Sequence, residues 1–197
     1  DAAGSGQPEL LLYTPEDTLA TDWSKDGAYL IFTSTNPVTG LDVMALPMAG
    51  DDREPIPLVH TQFRESGGTL SPDGKFLAYR SNESGRNEVY VQEFPEARSK
   101  WQVSANGGTD PSWKGDGREL YYRAPDLSLI AVPVQMGKTF EAGTPQVLFK
   151  APFAINSIAS SLYSAASDGQ RFLVLATLAH DTVPPATVVL NWQTALK

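Results

Sequence analysis

The chain contains no cysteine, only two histidines, and no apolar run long enough to cross a bilayer. Without cysteine there are no disulfides, no thiolate nucleophile and no Cys-based zinc site. His60 and His180 leave little material for imidazole chemistry, and the patterns H-E-x-x-H, G-x-S-x-G and G-x-G-x-x-G are all missing. The longest apolar stretch, Phe172 to Ala179, is strand-length, well short of the ~18 to 20 residues of a membrane helix. Positive charge is also in deficit, with 15 Lys and Arg against 23 Asp and Glu and a formal net charge of −8. That balance argues against nucleic acid and against an anionic membrane surface as partner. Residues 1–7 lack the basic start and apolar block of a signal peptide and read as a flexible leader. An amphipathic helical period is nowhere visible.

What the chain has in abundance is turns, with 16 glycines and 15 prolines in 197 residues. Ser71-Pro72-Asp73-Gly74 leads into the alternating apolar segment Lys75-Phe76-Leu77-Ala78-Tyr79. The same arrangement recurs at Asp26-Gly27, Asp116-Gly117 and Asp168-Gly169, each followed by an apolar run. Asp-Gly accepts the positive φ of a tight hairpin. Its return at about 40 to 50 residues is the mark of a propeller or solenoid. Counted from each aspartate, position +4 is Leu30, Leu77, Leu120 and Phe172, and position +6 is Phe32, Tyr79, Tyr122 and Val174. Residues two apart share one face of a strand, so each unit offers a large apolar pair to a neighbour. Position −3, Trp23, Leu70, Trp113 and Ala165, repeats as a packing site.

These patterns predict an all-β protein, a β-propeller of four four-stranded blades. The blades fall near 18–60, 64–104, 107–150 and 155–193, in a single domain over 8–197. The last blade has only three strand candidates, and the spare segment Glu9 to Tyr13 is expected to supply its fourth, closing the ring. Gly137-Lys138-Thr139 reads as a hairpin turn, because Val132 stands where a phosphate loop needs its first glycine.

The segments Thr21-Asp22-Trp23-Ser24-Lys25-Asp26-Gly27 and Gly107-Gly108-Thr109-Asp110-Pro111-Ser112-Trp113 resemble the repeat of TolB-like, WD-like β-propellers. With the ending Val188-Val189-Leu190-Asn191-Trp192, the chain resembles the carboxy-terminal propeller blades of bacterial receptor-like Ser/Thr kinases. The resemblance implies a docking or sensor role and a bacterial, extracytoplasmic setting. Such propellers usually have six or more blades. Four could close on themselves, two chains could form a larger homodimeric ring, or the chain is part of a longer one.

For function, the loops opposite the Asp-Gly turns matter most. His60 ends a fourth strand, His180 sits in a second-to-third loop, and Asp17, Glu65 and Asp110 lie in the loops entering three units. Imidazole and carboxylate converging there suit a divalent ion such as zinc, manganese or calcium, which could activate water for hydrolysis. Arg80 and Arg123 share position +7, as members of a repeated ion pair or as an anion site. The leading expectation is a binding or sensor module without catalysis of its own. It would take a protein, peptide or small ligand at its loop face, with no nucleic acid and no membrane insertion. The alternative is a metal-dependent hydrolase using His60, His180, Asp17, Glu65 and Asp110.

Overall fold

The computed structural model describes residues 9–50, 53–154 and 161–176. Every element among them is a strand, and every ladder is antiparallel. The first blade is β1 (Thr18–Trp23), β2 (Tyr29–Asn36), β3 (Gly40–Pro47) and β4 (Ile56–Val59), paired in that order. The second is β5 (Glu65–Leu70), β6 (Phe76–Ser81), β7 (Glu88–Glu93) and β8 (Lys100–Gln102). The third contains β9 (Thr109–Trp113), β10 (Glu119–Arg123), β11 (Ser128–Met136), β12 (Phe140–Ala142) and β13 (Gln146–Lys150). Its outer place is shared, since β13 pairs with residues 128–131 of β11 and β12 with residues 134–136. The fourth shows β14 (Tyr163–Ala165) paired with β15 (Phe172–Val174).

The Asp-Gly turns are built alike. Ser71 donates from Oγ to Asp73 Oδ1 at 2.7 Å, and Phe76 N donates to Ser71 Oγ at 3.0 Å. Ser24, Asp26 and Tyr29 repeat this at 2.7 and 2.8 Å. Gly27, Gly74, Gly117 and Gly169 all have φ between 69° and 74°, which a side chain would strain. The expected hairpin at 137–139 is present as well, with Gly137 N donating to Thr139 O at 3.1 Å.

Packing between blades follows the repeat. Leu77 and Tyr79 enter a cluster with Ile31, Val43 and Ala45 of the first blade. Leu120 and Tyr122 enter one with Phe76, Ala78, Val89 and Val91 of the second. Phe172 and Val174 pack on Tyr121 and Leu129 of the third. The +4/+6 pairs of the second, third and fourth blades therefore face the preceding blade, and so do Leu70 and Trp113 at position −3. Alternation on a pleated strand sends the intervening residues to the other face. On the first blade this register turns Trp23, Leu30 and Phe32 away from the second blade. Trp23 is accordingly 50 % exposed, whereas Trp113 is 9 % exposed.

The segment Glu9 to Tyr13 forms no strand, contrary to the expectation that it completes the last blade. Glu9 instead pairs with Arg53 of the first blade, Nη1 to Oε1, at 3.1 Å. Leu12 and Thr14 line a hollow with Phe32, Met44 and Pro57. This apolar stretch thus covers part of the first blade's outward face, which offers it the hydrophobic contact a strand edge would not. The candidate partner strand 187–192 lies outside the described residues, so closure of the ring is not among the described pairings. No helix among the described residues is long and apolar enough to cross a membrane.

Candidate functional site

The first strands of the blades, β1, β5 and β9, lie side by side. At the end opposite the Asp-Gly turns they leave a cavity of about 270 Å3. Its wall includes Asp17, Thr18 and Thr21 from the start of the first blade, Thr33 and Thr35 from the end of β2, Ser66 and Gly67 from β5, Arg80 from the end of β6, and Asp110 from β9. This is the end that the repeat predicts for the connecting loops.

Two of the five sequence-predicted site residues, Asp17 and Asp110, line this cavity. Asp17 is exposed on its rim. Asp110 has φ 56° and is half-buried; its Oδ2 accepts from Arg123 Nε at 2.9 Å. Its carbonyl accepts from the Tyr163 hydroxyl at 2.8 Å, which ties the third blade to the fourth.

His60 and Glu65 lie in other surroundings. His60 Nδ1 stands 2.8 Å from Asp42 Oδ2, and Asp42 is buried at the start of β3. The second blade has the same device in other residues. Glu88, at the start of β7, accepts from the Ser104 hydroxyl just after β8, from Arg86 Nε at 2.8 Å and from Gly107 N at 2.9 Å. A carboxylate opening the third strand thus clamps the chain as it leaves the fourth. That is a structural role for His60. Glu65 is fully buried and accepts on Oε1 from the hydroxyls of Thr61 and Ser81. His180 lies outside the described residues. Among the described residues, no three of histidine, aspartate and glutamate gather as a metal-holding group.

Burial raises the Glu65 pKa above its usual value; its hydroxyl partners oppose this, and the negative charge of Asp42 adds slightly to it. A carboxylate whose folded pKa exceeds the unfolded value is stabilised in its protonated form. Stability is then highest below the unfolded carboxylate pKa of about 4.3 and declines as pH rises through the folded value. Glu65→Gln is therefore expected to unfold at higher urea than wild type at pH 7, with the two converging near pH 4. Lower stability of the Gln variant at pH 7 would contradict this assignment.

The residue that sequence reasoning left undecided is Arg80. Arg123, its equivalent, has the Asp110 carboxylate. Arg80 is paired across the ladder with Ser66 and donates to the Ser66 hydroxyl. It forms no ion pair among the described residues. Burial lowers its pKa, with Asp110 acting against that and the nearby Arg64 and Arg123 acting with it. The repeat position gave a signal for Arg80, but only the residue at the neighbouring bulge, Gly67 beside Arg80 and Asp110 beside Arg123, distinguishes the two.

No known family's sequence profile matches the chain, and no curated protein matches it. Solved structures do. TolB from Acinetobacter baumannii superposes with a TM-score of 0.62 at 18 % identity, over 85 % of this chain and 40 % of that one. A TolB candidate from Agrobacterium tumefaciens gives 0.51 at 18 %, over 66 % of this chain and 50 % of that one. The β-propeller domain of Cps50 (Swd1) from Myceliophteria thermophila gives 0.51 at 12 %, over 87 % and 70 %. The chain has the fold of a TolB-like β-propeller. It spans half the length of the Agrobacterium protein and less of the Acinetobacter one. At these identities the likeness is one of fold, and function has to be sought in the site.

Proposed function

We propose that this propeller is a binding module that takes its ligand in the cavity between its first strands. The observation that carries this reading is a cavity of about 270 Å3 holding a partly buried arginine that forms no ion pair among the described residues. Polar groups converging in a concavity are the general form of a ligand site. The described residues supply hydroxyls and one free guanidinium, which recognise and orient a ligand. The propeller folds of TolB and Swd1 support a binding role at the level of architecture.

Thr35 is exposed on the cavity wall, so Thr35→Trp fills the space without disturbing a packed position. A panel of small ligands and peptides is screened by thermal shift on wild type and on this variant. Compounds that raise the wild-type Tm are expected to lose that effect in Thr35→Trp. Equal stabilisation of both proteins would place binding elsewhere and overturn the reading.

A further inference from the structure

The two arginines at position +7 differ in a way that defines a ligand. In the third blade Arg123 is satisfied by Asp110 at 2.9 Å. In the second blade the position equivalent to Asp110 is Gly67, which brings no carboxylate, and Arg80 donates instead to the Ser66 hydroxyl across the ladder. The neighbouring charges do not make up the difference. Arg64 and Arg123 are of like sign, and the Asp110 carboxylate is engaged by Arg123. Asp17 lines the same cavity but forms no ion pair with Arg80, and Glu65 is fully buried beside Thr61 and Ser81. A partly desolvated guanidinium without a counter-ion is costly. A carboxylate or phosphate entering the cavity would meet it with charge-assisted hydrogen bonds.

The rest of the wall narrows the class. Thr21 and Thr33 are committed to the backbone, Thr21 donating to Gly68 O at 2.7 Å and Thr33 Oγ1 accepting from Gly67 N at 3.2 Å. The wall also carries Thr18 and Thr35, both exposed, the carboxylate of Asp17, and the apolar side chains of Leu19 and Leu41. Hydroxyl and carboxylate groups beside a guanidinium suit a ligand that carries hydroxyls around one acidic group. A space of about 270 Å3 holds a single six-carbon unit.

Resting on the binding-module reading, we propose that the cavity binds a small polyhydroxy anion, a sugar acid or sugar phosphate, with its acidic group on Arg80. Gly67, where the third blade has Asp110, leaves that arginine without a carboxylate partner and open to a ligand.

Glucuronate, glucose 6-phosphate and glucose serve as probes, titrated calorimetrically into the whole chain at matched ionic strength. Wild type is expected to bind at least one of the two anions and to ignore glucose. The choice between the anions distinguishes a carboxylate from a phosphate ligand. Arg80→Met is expected to weaken binding by about ten- to a hundredfold. Gly67→Asp supplies a second variant that keeps the arginine and neutralises it, as Asp110 does for Arg123; a Cβ at Gly67 meets nothing within 4 Å and Asp110 itself holds a positive φ, and this variant too is expected to lose anion binding. Arg118→Gln, an exposed arginine remote from the cavity, is expected to bind as wild type. Equal affinity for glucose and the anions would overturn the proposal, as would undiminished binding in Gly67→Asp, or no binding of either anion. If neutral or cationic compounds bind and Thr35→Trp abolishes that, the binding-module reading stands and the anion assignment alone falls.

Discussion

Replacing Glu88 by alanine is expected to lower the stability of the protein by about 2 to 4 kcal/mol, the effect of leaving two buried donors without an acceptor. Glu88 has no exposed surface, and three donors converge on its carboxylate: the Ser104 hydroxyl, Arg86 Nε at 2.8 Å and Gly107 N at 2.9 Å. Those donors lie on the loop before β7 and on the connection from β8 to β9. The side chain therefore holds the second blade to the start of the third. Alanine leaves Gly107 N and the Ser104 hydroxyl buried without this acceptor, and Arg86 without its counter-ion. Glu88→Gln keeps the shape and one acceptor but forfeits the charge, so a smaller loss is expected. Urea midpoints of both variants are to be compared with that of Glu96→Ala, an exposed site where a change within about 0.5 kcal/mol is expected. If Glu88→Ala loses no more than Glu96→Ala, the clamp contributes nothing and the account of His60 and Asp42 as its counterpart weakens with it.

The second large effect is expected at Phe140. Its ring is 2 % exposed and lies 5.8 Å from Phe76, 5.5 Å from Trp101 and 6.2 Å from Trp113. It seals the aromatic cluster between the second and third blades from a strand of only three residues, β12. Phe140→Ala opens a cavity among rings fixed by three different strands, which cannot collapse to fill it. A loss of about 3 to 5 kcal/mol is expected. Phe140→Leu should lose less, because most of the volume remains. The tryptophan emission of the folded Phe140→Ala protein should move to longer wavelength, because Trp101 and Trp113 border the new space. Unchanged emission with wild-type stability would show that the cluster does not depend on this ring.

Phe140 also shows where sequence reasoning reaches its limit. The Asp-Gly turns, the +4/+6 pairs and fourteen of the fifteen described strands can be read from local chemistry, since a positive-φ turn and a period of two are properties of neighbouring residues. The twelfth strand cannot. Its one apolar residue after Lys138-Thr139 carries no period, and the strand exists because that ring docks in a distant cluster. The opposite error occurs at Glu9 to Tyr13, where a run of leucines suggests a strand. Only Leu12 of the run lines the hollow on the outward face of the first blade, while Leu10 and Tyr13 stay exposed, and the segment joins no ladder among the described residues.

The candidate site divides along the same line. Counting from the turn aspartates places Asp17, His60, Glu65 and Asp110 at one end of the blades, but the end of a blade holds both cavity wall and interior. Glu65 points into the protein and His60 is taken by Asp42. Only Asp17 and Asp110 reach the cavity.

By itself, then, the sequence determined the repeat, the hairpins, the side of each strand that faces the preceding blade, and the end of the blades where ligands should be sought. These follow from spacing along the chain. Tertiary structure alone decided what each charged group meets. Arg80 and Arg123 stand at the same repeat position. Across the ladder Arg80 meets Ser66 and Arg123 meets Thr109; their difference lies one residue further on, at the bulge, where the second blade has Gly67 and the third Asp110. That pairing crosses a ladder with an irregular register in both blades. A period counted along one strand cannot show which residue the bulge on the next strand presents, and so the charge of the cavity became legible only in the folded chain.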